Sequence, residues 1–157
     1  MKLALDLDGV LGDTRPLWEA WLEDASRRLR SIAQLDPASL PADRGAAARE
    51  LDRWAERGIG DWRASLARFG EDHAPVYLRP QAPVNAALRR LEAAGARLGA
   101  FTDAPRELAE VALAQLGASR RIEALESGDG ALERLLERFG PGARVVHTAP
   151  ELVEAAD

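Results

Sequence analysis

The 157-residue sequence contains no cysteine and a single lysine, Lys2. The lack of cysteine excludes disulfides, thiol nucleophiles and thiolate metal sites. Apart from Lys2, all of the 21 lysine and arginine residues are arginine. A function that needs a second positive side chain must therefore use arginine.

The sequence also lacks a basic stripe, a low-complexity tract and an internal repeat. Acidic and basic residues are interleaved and the net charge is −5, which argues against a nucleic-acid or membrane surface. The first apolar stretch is interrupted by Asp6 and is too short for a signal peptide or a membrane span. We expect a cytoplasmic protein of one domain, or one domain with an insertion; its oligomeric state stays open.

Short apolar runs alternate with helical stretches over much of the chain. Strands are predicted at 3–7, 97–101, 122–125 and 143–146, and helices at 84–94, 105–116, 131–139 and from about residue 150. This alternation predicts an α/β fold, a Rossmann-like parallel sheet with helices on both faces. Ligands bind such sheets at the carboxyl ends of the strands. Four polar residues lie there: Asp6, Asp8, Thr102 and Asp103.

Residues 15–80 do not follow the alternation. Their pattern predicts helices at about 15–32, 44–57 and 61–69. We predict an α/β core made of residues 1–14 and 81–157, with residues 15–80 as an all-helical cap. All four tryptophans of the chain fall in this segment, and we expect them to form its own small core rather than to face a substrate: Trp18, Trp21, Trp54 and Trp62.

The stretch LALDLDGVLGDT ends an apolar strand with two aspartates, Asp6 and Asp8. Residues two apart project in the same direction at a strand end, and an unpaired buried carboxylate is costly. A divalent cation with oxygen ligands commonly holds such a pair together. Gly9 allows a sharp turn and a close approach to a ligand. The arrangement suits phosphoryl transfer, with one carboxylate as nucleophile and the other as proton carrier; a simple capped turn is the alternative.

The same residues resemble the haloacid dehalogenase superfamily. LDLDGVLGDT is similar to its first motif, an apolar strand followed by Asp-x-Asp-Gly-Thr/Val and a further Asp, here Asp13. LGAFTDAP is similar to the second motif, and RIEALESGD resembles the third strand and its turn. The helical segment between the first two motifs resembles a small cap. The resemblance covers nearly the whole chain.

The resemblance implies a role for each matching residue. Asp6 would be the nucleophile that forms an aspartyl-phosphate, and Asp8 the general acid and base. Both would bind Mg²⁺, Asp6 through its carboxylate and Asp8 through its backbone carbonyl. Thr102 would bind phosphoryl oxygens, with Gly9 and Asp103 beside the substrate. An aspartate at the second catalytic position indicates phosphate esters rather than dehalogenation.

The third motif of the family, a lysine or arginine near the start of the helix after the third strand, is not recognisable. Lys2 lies about 13 Å from Asp6 along the strand, at the opposite end of the sheet. Arg106 and Arg134 are the candidate replacements, and Arg106 is expected to bind substrate. A solvated helix position is the alternative for both.

The fourth motif, Gly-Asp-Ser-x-x-Asp, is also absent. The stretch VVHTAPELVEAA places His147 and Thr148 at the glycine and the first aspartate, and Leu152 at the second. We expect His147 to be structural rather than a ligand. Three acidic residues of neighbouring loops are the alternative sources of a carboxylate: Asp129, Glu126 and Glu151.

The sequence therefore predicts a Mg²⁺-dependent phosphohydrolase that acts on a small phosphomonoester, with the cap closing over the site. Loss of a cation that stabilises the transition state can cost about 10³-fold in phosphoryl transfer. The second hypothesis is thus a catalytically degraded relative that binds a phosphorylated ligand or a protein partner without turnover. A phosphomutase is a third.

Overall fold

A computed structural model describes the backbone of residues 1–157 and all side chains except those of residues 32 and 33. The main elements follow the order β1 (Lys2–Asp6), α1 (Arg15–Ala33), α2 (Arg44–Trp54), α3 (Trp62–Tyr77), α4 (Ala82–Ala93), β2 (Arg97–Thr102), α5 (Arg106–Gln115), β3 (Ala124–Ser127), α6 (Ala131–Phe139), β4 (Ala143–Val146) and α7 (Ala149–Ala155). Wide turns cover Leu7–Leu11 and Ala55–Ile59, and a short 3₁₀ helix covers Pro37–Ser39.

The four strands form one parallel sheet in the order β3-β2-β1-β4. Leu5 pairs with Ala100 on one side and with Val146 on the other, and all three residues are buried. Apolar residues on both faces explain why the central strand is an almost continuous hydrophobic run. The sheet confirms the predicted α/β fold and brings the carboxyl ends of all four strands to one edge.

Strand β3 lies two residues later than predicted. Ile122 belongs to the preceding turn, where its N–H donates to the Ala118 carbonyl. The strand instead continues to Ser127, which pairs with Thr102. Pairing with β2 decides this boundary, because the polar residues at the end of β3 show no apolar pattern.

Helices α1, α2 and α3 occupy residues 15–80, here called the insertion. Helix α3 continues to Tyr77, well past the predicted end near Phe69. Gly70, which looks like a helix stop in the sequence, faces Val111 of α5, where an added Cβ would lie 3.4 Å from the side chain. Close packing against α5 thus stabilises a helix that local propensity alone would end early.

The tryptophans of the insertion are buried, as predicted. Trp18 and Trp21 lie 5.5 Å apart between ring centroids, and Trp21 and Trp62 lie 6.0 Å apart. They belong, however, to one hydrophobic cluster that also contains Leu3 and Leu5 of the central strand. The prediction of a separate small core is therefore wrong, because the insertion packs directly onto the elements around the sheet.

Among the described helices, none combines the length and the apolar character needed to cross a membrane.

Candidate active site

The carboxyl edge of the sheet borders a cavity of about 320 Å³. Asp6 reaches it from the end of β1, where the chain leaves the sheet in the wide turn Leu7–Leu11. Its side chain is 29% exposed. The walls of the cavity come from both the sheet edge and the insertion: Asp6, Asp8, Arg15, Arg44, Phe101, Thr102, Asp103, Gly128, Ala131 and Leu132.

Asp8 is held by four hydrogen-bond donors. Its Oδ1 accepts from the backbone N–H of Thr14 at 2.8 Å and from the Thr14 hydroxyl at 2.6 Å. Its Oδ2 accepts from the Thr102 hydroxyl and from Nη2 of Arg44, both at 2.6 Å. In all four contacts the carboxylate is the acceptor. The four donors fix both oxygens in position.

Arg44 is the functional residue that the sequence did not reveal. It begins helix α2 of the insertion and is only 2% exposed, although arginine is rarely buried. Its guanidinium contacts Asp103 Oδ1 from Nη2 at 2.8 Å and from Nε at 3.2 Å, and it donates to the Thr14 hydroxyl at 2.6 Å. A positive side chain in the first turn of a helix interacts unfavourably with the helix dipole. This unusual position of Arg44 is the signal in the sequence that could have identified it.

Asp103, predicted to bind substrate, instead binds Arg44. It accepts from the guanidinium and, through Oδ2, from the Arg44 backbone N–H at 3.2 Å. Burial alone would raise the pKa of Asp103, but the hydrogen bonds and charge of Arg44 outweigh it, and the pKa lies below its ordinary value. Asp103 therefore fixes the insertion to the sheet edge, and its role toward a substrate stays a prediction.

Asp6 differs from its neighbour because none of the described side chains donates a hydrogen bond to it within 3.5 Å. His147 Nδ1 lies 3.6 Å from Asp6 Oδ2. Burial raises the pKa of Asp6 above its ordinary value, and the charge of Asp8 adds to this, while the contact with His147 opposes it. The Asp8 carboxylate thus has all its hydrogen-bonding positions occupied, whereas the Asp6 carboxylate faces the cavity.

The charges around the cavity do not balance. Asp6, Asp8 and Asp103 are acidic, whereas Arg44 is the buried cation among them. Arg15 also borders the cavity, but it is 62% exposed and binds Asp13 at 2.8 Å. A phosphate dianion would meet net negative charge here, so its binding needs additional positive charge.

Gly9 lies close to the segment after β4. A Cβ at this position would lie 2.4 Å from the backbone carbonyl oxygen of His147, so the missing side chain makes room for that segment. Gly9 itself is exposed. Its expected approach to a ligand stays a prediction.

His147 is positioned by three contacts. Its ring meets Phe101 edge-on, with centroids 6.3 Å apart and an interplanar angle of 87°. Its backbone N–H donates to the Glu151 carboxylate at 3.1 Å, and its carbonyl lies against Gly9. The side chain therefore faces Asp6 from a fixed backbone, whereas the sequence predicted no more than a structural role.

The two arginines proposed to replace the third motif do not line the cavity. Arg106 donates to the Leu125 carbonyl at 2.8 Å and contacts Glu110 at 3.3 Å. Arg134 binds Glu126, the Ser127 carbonyl at 2.5 Å and the carbonyl of Asp129. Both stabilise the segment around β3. In this arrangement both guanidinium groups bind protein atoms outside the cavity, and substrate binding by Arg106 stays a prediction.

The three acidic residues proposed to replace the fourth motif are also engaged. Asp129 forms an ion pair with Arg49 of α2. Glu126 binds Arg134 and Arg138, and Glu151 accepts from the His147 N–H. Lys2 binds the Pro141 carbonyl at 3.2 Å, away from the carboxyl edge, as expected.

Few side chains of the site could hold a magnesium ion. Mg²⁺ takes six oxygen ligands, commonly one or two carboxylates with water and substrate phosphate. Across the side chains that the structure describes, no group of three histidine, aspartate or glutamate residues could hold a metal. The Asp8 carboxylate already accepts four hydrogen bonds, so Asp6 is the available carboxylate of the pair, with the His147 imidazole beside it. Mg²⁺ binding through the Asp6 carboxylate and the Asp8 backbone carbonyl stays a prediction.

Comparisons with known proteins identify the family of this chain. A family model described as haloacid dehalogenase-like hydrolase matches residues 3–148. The chain belongs to the haloacid dehalogenase-like hydrolases. The resemblance predicted from LDLDGVLGDT is thereby confirmed. A comparison with curated protein sequences gives no match.

Two solved structures share the fold of this haloacid dehalogenase-like hydrolase. A HAD phosphatase from Thermococcus onnurineus is 16% identical, with a TM-score of 0.56 over 99% of this chain and 83% of its own. A protein assigned as a β-phosphoglucomutase from Thermotoga maritima is 19% identical, with a TM-score of 0.52 over 99% and 81%. At these identities the likeness shows the fold alone.

Proposed function

We propose that this chain is a phosphohydrolase that acts on a small phosphomonoester through an aspartyl-phosphate on Asp6. The observation that carries the proposal is the contrast between the two aspartates: Asp8 is fixed by four donors, and Asp6 presents its carboxylate to the cavity. Membership of a hydrolase family supports hydrolysis, and a phosphatase among the structural neighbours supports the substrate class.

In the first step, an oxygen of Asp6 attacks phosphorus, a new O–P bond forms and the ester O–P bond breaks. Protonated Asp8 gives its proton to the leaving oxygen. Burial and the nearby Asp8 charge raise the pKa of Asp6, which makes its ionised form a better nucleophile than a fully solvated carboxylate. Water then attacks phosphorus, and the bond to Asp6 breaks.

Asp8 suits the base role in the second step. Thr14, Thr102 and Arg44 hold it as an acceptor, and it takes a proton from the attacking water once one of these donors has left its oxygen. To donate a proton in the first step it must first be protonated and release Arg44 or Thr102. We propose that arrival of the substrate in the cavity causes this exchange of partners.

The size of the cavity supports a small substrate. Ligand sites commonly measure about 300–1,000 Å³, and the cavity beside Asp6, at about 320 Å³, lies near the lower bound. Arg15, Arg44 and Thr102 supply the polar side chains near the phosphoryl position. Haloacid dehalogenase-like hydrolases generally use Mg²⁺, so phosphate release is measured with Mg²⁺ present.

The test is release of phosphate from an aryl phosphate by the wild type, Asp6→Asn and Asp13→Asn, each with Mg²⁺, Mn²⁺ or Co²⁺. We expect Asp6→Asn to lose about 10³-fold or more in kcat, because the attacking oxygen is replaced by an amide. Asp13 is an exposed carboxylate in the same loop and serves as the matched control. Equal rates for wild type and Asp6→Asn contradict the proposal.

A second candidate, binding of a phosphorylated ligand without turnover, is favoured by one specific contact. Nη2 of Arg44 lies 2.6 Å from Asp8 Oδ2, and this ion pair occupies an oxygen that the proposed acid would need for proton transfer. The second candidate predicts that phosphate raises the melting temperature while no aryl phosphate is hydrolysed. Turnover that depends on Asp6 excludes it.

A further inference from the structure

We infer that Arg44 and Thr102 form the phosphoryl-binding site of this chain, and that Asp8 Oδ2 occupies this site until a substrate displaces it. The inference rests on the proposed function and names the arginine that meets the phosphoryl group. This arginine belongs to the insertion, because Arg44 begins α2. The arriving phosphoryl group therefore gains a positive partner and at the same time releases the proposed acid.

One oxygen of Asp8 has the surroundings of a bound phosphoryl oxygen. Asp8 Oδ2 accepts from Nη2 of Arg44 and from the Thr102 hydroxyl, both at 2.6 Å. The Thr102 hydroxyl oxygen itself accepts from the Ala104 backbone N–H at 3.2 Å, which fixes its position. A guanidinium suits phosphate oxygens as it suits carboxylate oxygens, and such charge-assisted hydrogen bonds are strong. A phosphoryl oxygen at the place of Asp8 Oδ2 can therefore accept both bonds.

Other contacts hold Arg44 in place when Asp8 leaves. Asp103 Oδ1 accepts from Nε at 3.2 Å and from Nη2 at 2.8 Å, and Asp103 Oδ2 accepts from the Arg44 backbone N–H at 3.2 Å. Nη1 donates to the Thr14 hydroxyl at 2.6 Å. Since Nη2 carries two N–H groups, the one that binds Asp8 can change its partner while the other stays on Asp103.

Of the two arginines that line the cavity, Arg44 is the better placed to bind a phosphoryl group. It is 2% exposed and borders the cavity together with Asp6. Arg15 is 62% exposed and binds Asp13. Salt and water screen a buried ionic contact less than an exposed one, so the same charge binds an anion more strongly at Arg44.

The inference makes Asp8 and a phosphoryl group competitors for the same two donors. Removal of the Asp8 carboxylate should then strengthen phosphate binding, and this gain should require Arg44. If Arg44 merely held Asp8 in position, the two side chains would show no such coupling in phosphate affinity. A double-mutant cycle measures that coupling.

The test measures the binding of inorganic phosphate by calorimetry, with Mg²⁺ present throughout. We expect Asp8→Ala to bind phosphate about 10-fold more tightly than the wild type, because the competing acceptor is gone. Arg44→Met should weaken binding by about 10-fold or more, and Asp8→Ala should bring no gain in that background. Arg44→Lys keeps the charge and should lose less affinity than Arg44→Met.

Two matched controls separate this effect from a general change in charge. Asp13→Asn removes a carboxylate from the same loop as Asp8 and should strengthen phosphate binding less than Asp8→Ala does. Arg49→Met removes an exposed arginine from the same helix as Arg44 and should leave the affinity unchanged. Circular dichroism checks folding. If Arg44→Met does not fold, the comparison of Asp8→Ala with Asp13→Asn still decides the inference.

Two outcomes overturn the inference: Asp8→Ala binds phosphate no more tightly than Asp13→Asn, or its gain in affinity persists in the Arg44→Met background. These failures differ from failure of the proposed function. Phosphate binding that depends on Arg44, without hydrolysis of an aryl phosphate, supports this inference and contradicts the phosphohydrolase. Turnover through Asp6, with a phosphate affinity that neither Asp8→Ala nor Arg44→Met changes, does the reverse.

Discussion

The two halves of the site use their polar residues differently. On the half formed by β1, β2 and the insertion, Asp8, Thr14, Arg44, Thr102 and Asp103 bind one another across three parts of the chain. On the half formed by the segments after β3 and β4, Arg134 and Glu151 bind the backbone of their own segments. The first half fixes its polar side chains against one another, and the second mainly stabilises its own turns.

This difference explains why none of the described side chains donates a hydrogen bond to the Asp6 carboxylate. Asp6 lies between the two halves. The side chain of the second half that approaches it is His147, whose Nδ1 lies 3.6 Å from Asp6 Oδ2. The first half holds Asp8, the proposed proton carrier, through four hydrogen bonds, and the second half leaves Asp6, the proposed nucleophile, accessible. Stability is therefore expected to depend on the first half and ligand binding on the gap between them.

The largest effect should follow from Arg44→Met. Removing the guanidinium leaves Asp8 and Asp103 without their buried partner, and breaking a buried pair in this way costs about 3–5 kcal/mol in the free energy of unfolding. Urea denaturation measures it. Arg49→Met, on the same helix with a 57% exposed side chain, should cost less than about 1 kcal/mol. Equal losses of unfolding free energy for Arg44→Met and Arg49→Met would mean that the ion pairs of the first half stabilise the fold no more than an exposed ion pair does.

An intermediate effect should follow from Gly9→Ala, which tests the contact between the halves. The new Cβ would lie 2.4 Å from the His147 carbonyl, a backbone atom that cannot move alone, and we expect a loss of about 1–3 kcal/mol. Gly12→Ala meets the end of the Leu116 side chain at 2.9 Å, which can adjust. A loss for Gly12→Ala as large as that for Gly9→Ala would contradict the stated cause. Thermal unfolding of both variants measures the difference.

The smallest effect should be a gain in stability for Asp6→Asn. Burial and the Asp8 charge raise the pKa of Asp6, so folding favours its protonated form more than the unfolded chain does. Its contribution is present below the pKa of the unfolded chain and is lost as pH rises through the raised value. Asparagine mimics the protonated form. The gain in the free energy of unfolding should therefore be larger at pH 7 than at pH 3.5, measured with a chelator present to remove metal ions.

Asp13→Asn should show the opposite sign. The hydrogen bonds and charge of Arg15 hold the pKa of Asp13 below its ordinary value, against a smaller effect of burial. Its contribution is present above the ordinary carboxyl pKa and is lost as pH falls through the lowered value. A gain in stability for both variants at pH 7 would show that the two carboxylates do not differ in environment as described.

Much of the fold could be predicted from apolar periodicity, because burial on both faces leaves a continuous run such as Leu3 to Leu7. Most helix ends agree to within about two residues, which is the ordinary uncertainty of such boundaries. Helix α2 ends at Trp54, three residues before its predicted end, and α3 is extended by packing of Gly70 on Val111. Among the strands, β3 is shifted by pairing of Ser127 with Thr102. The changes in α3 and β3 depend on partners distant in sequence.

The sequence by itself determined that Asp6 and Asp8 end a buried strand, because period and polarity are local properties. The tertiary structure decided which of them is saturated. Arg44 reaches Asp8 across 36 residues and Asp103 across 59, and no local pattern encodes contacts of that span. The same holds for His147, which meets Asp6 because β4 pairs with β1.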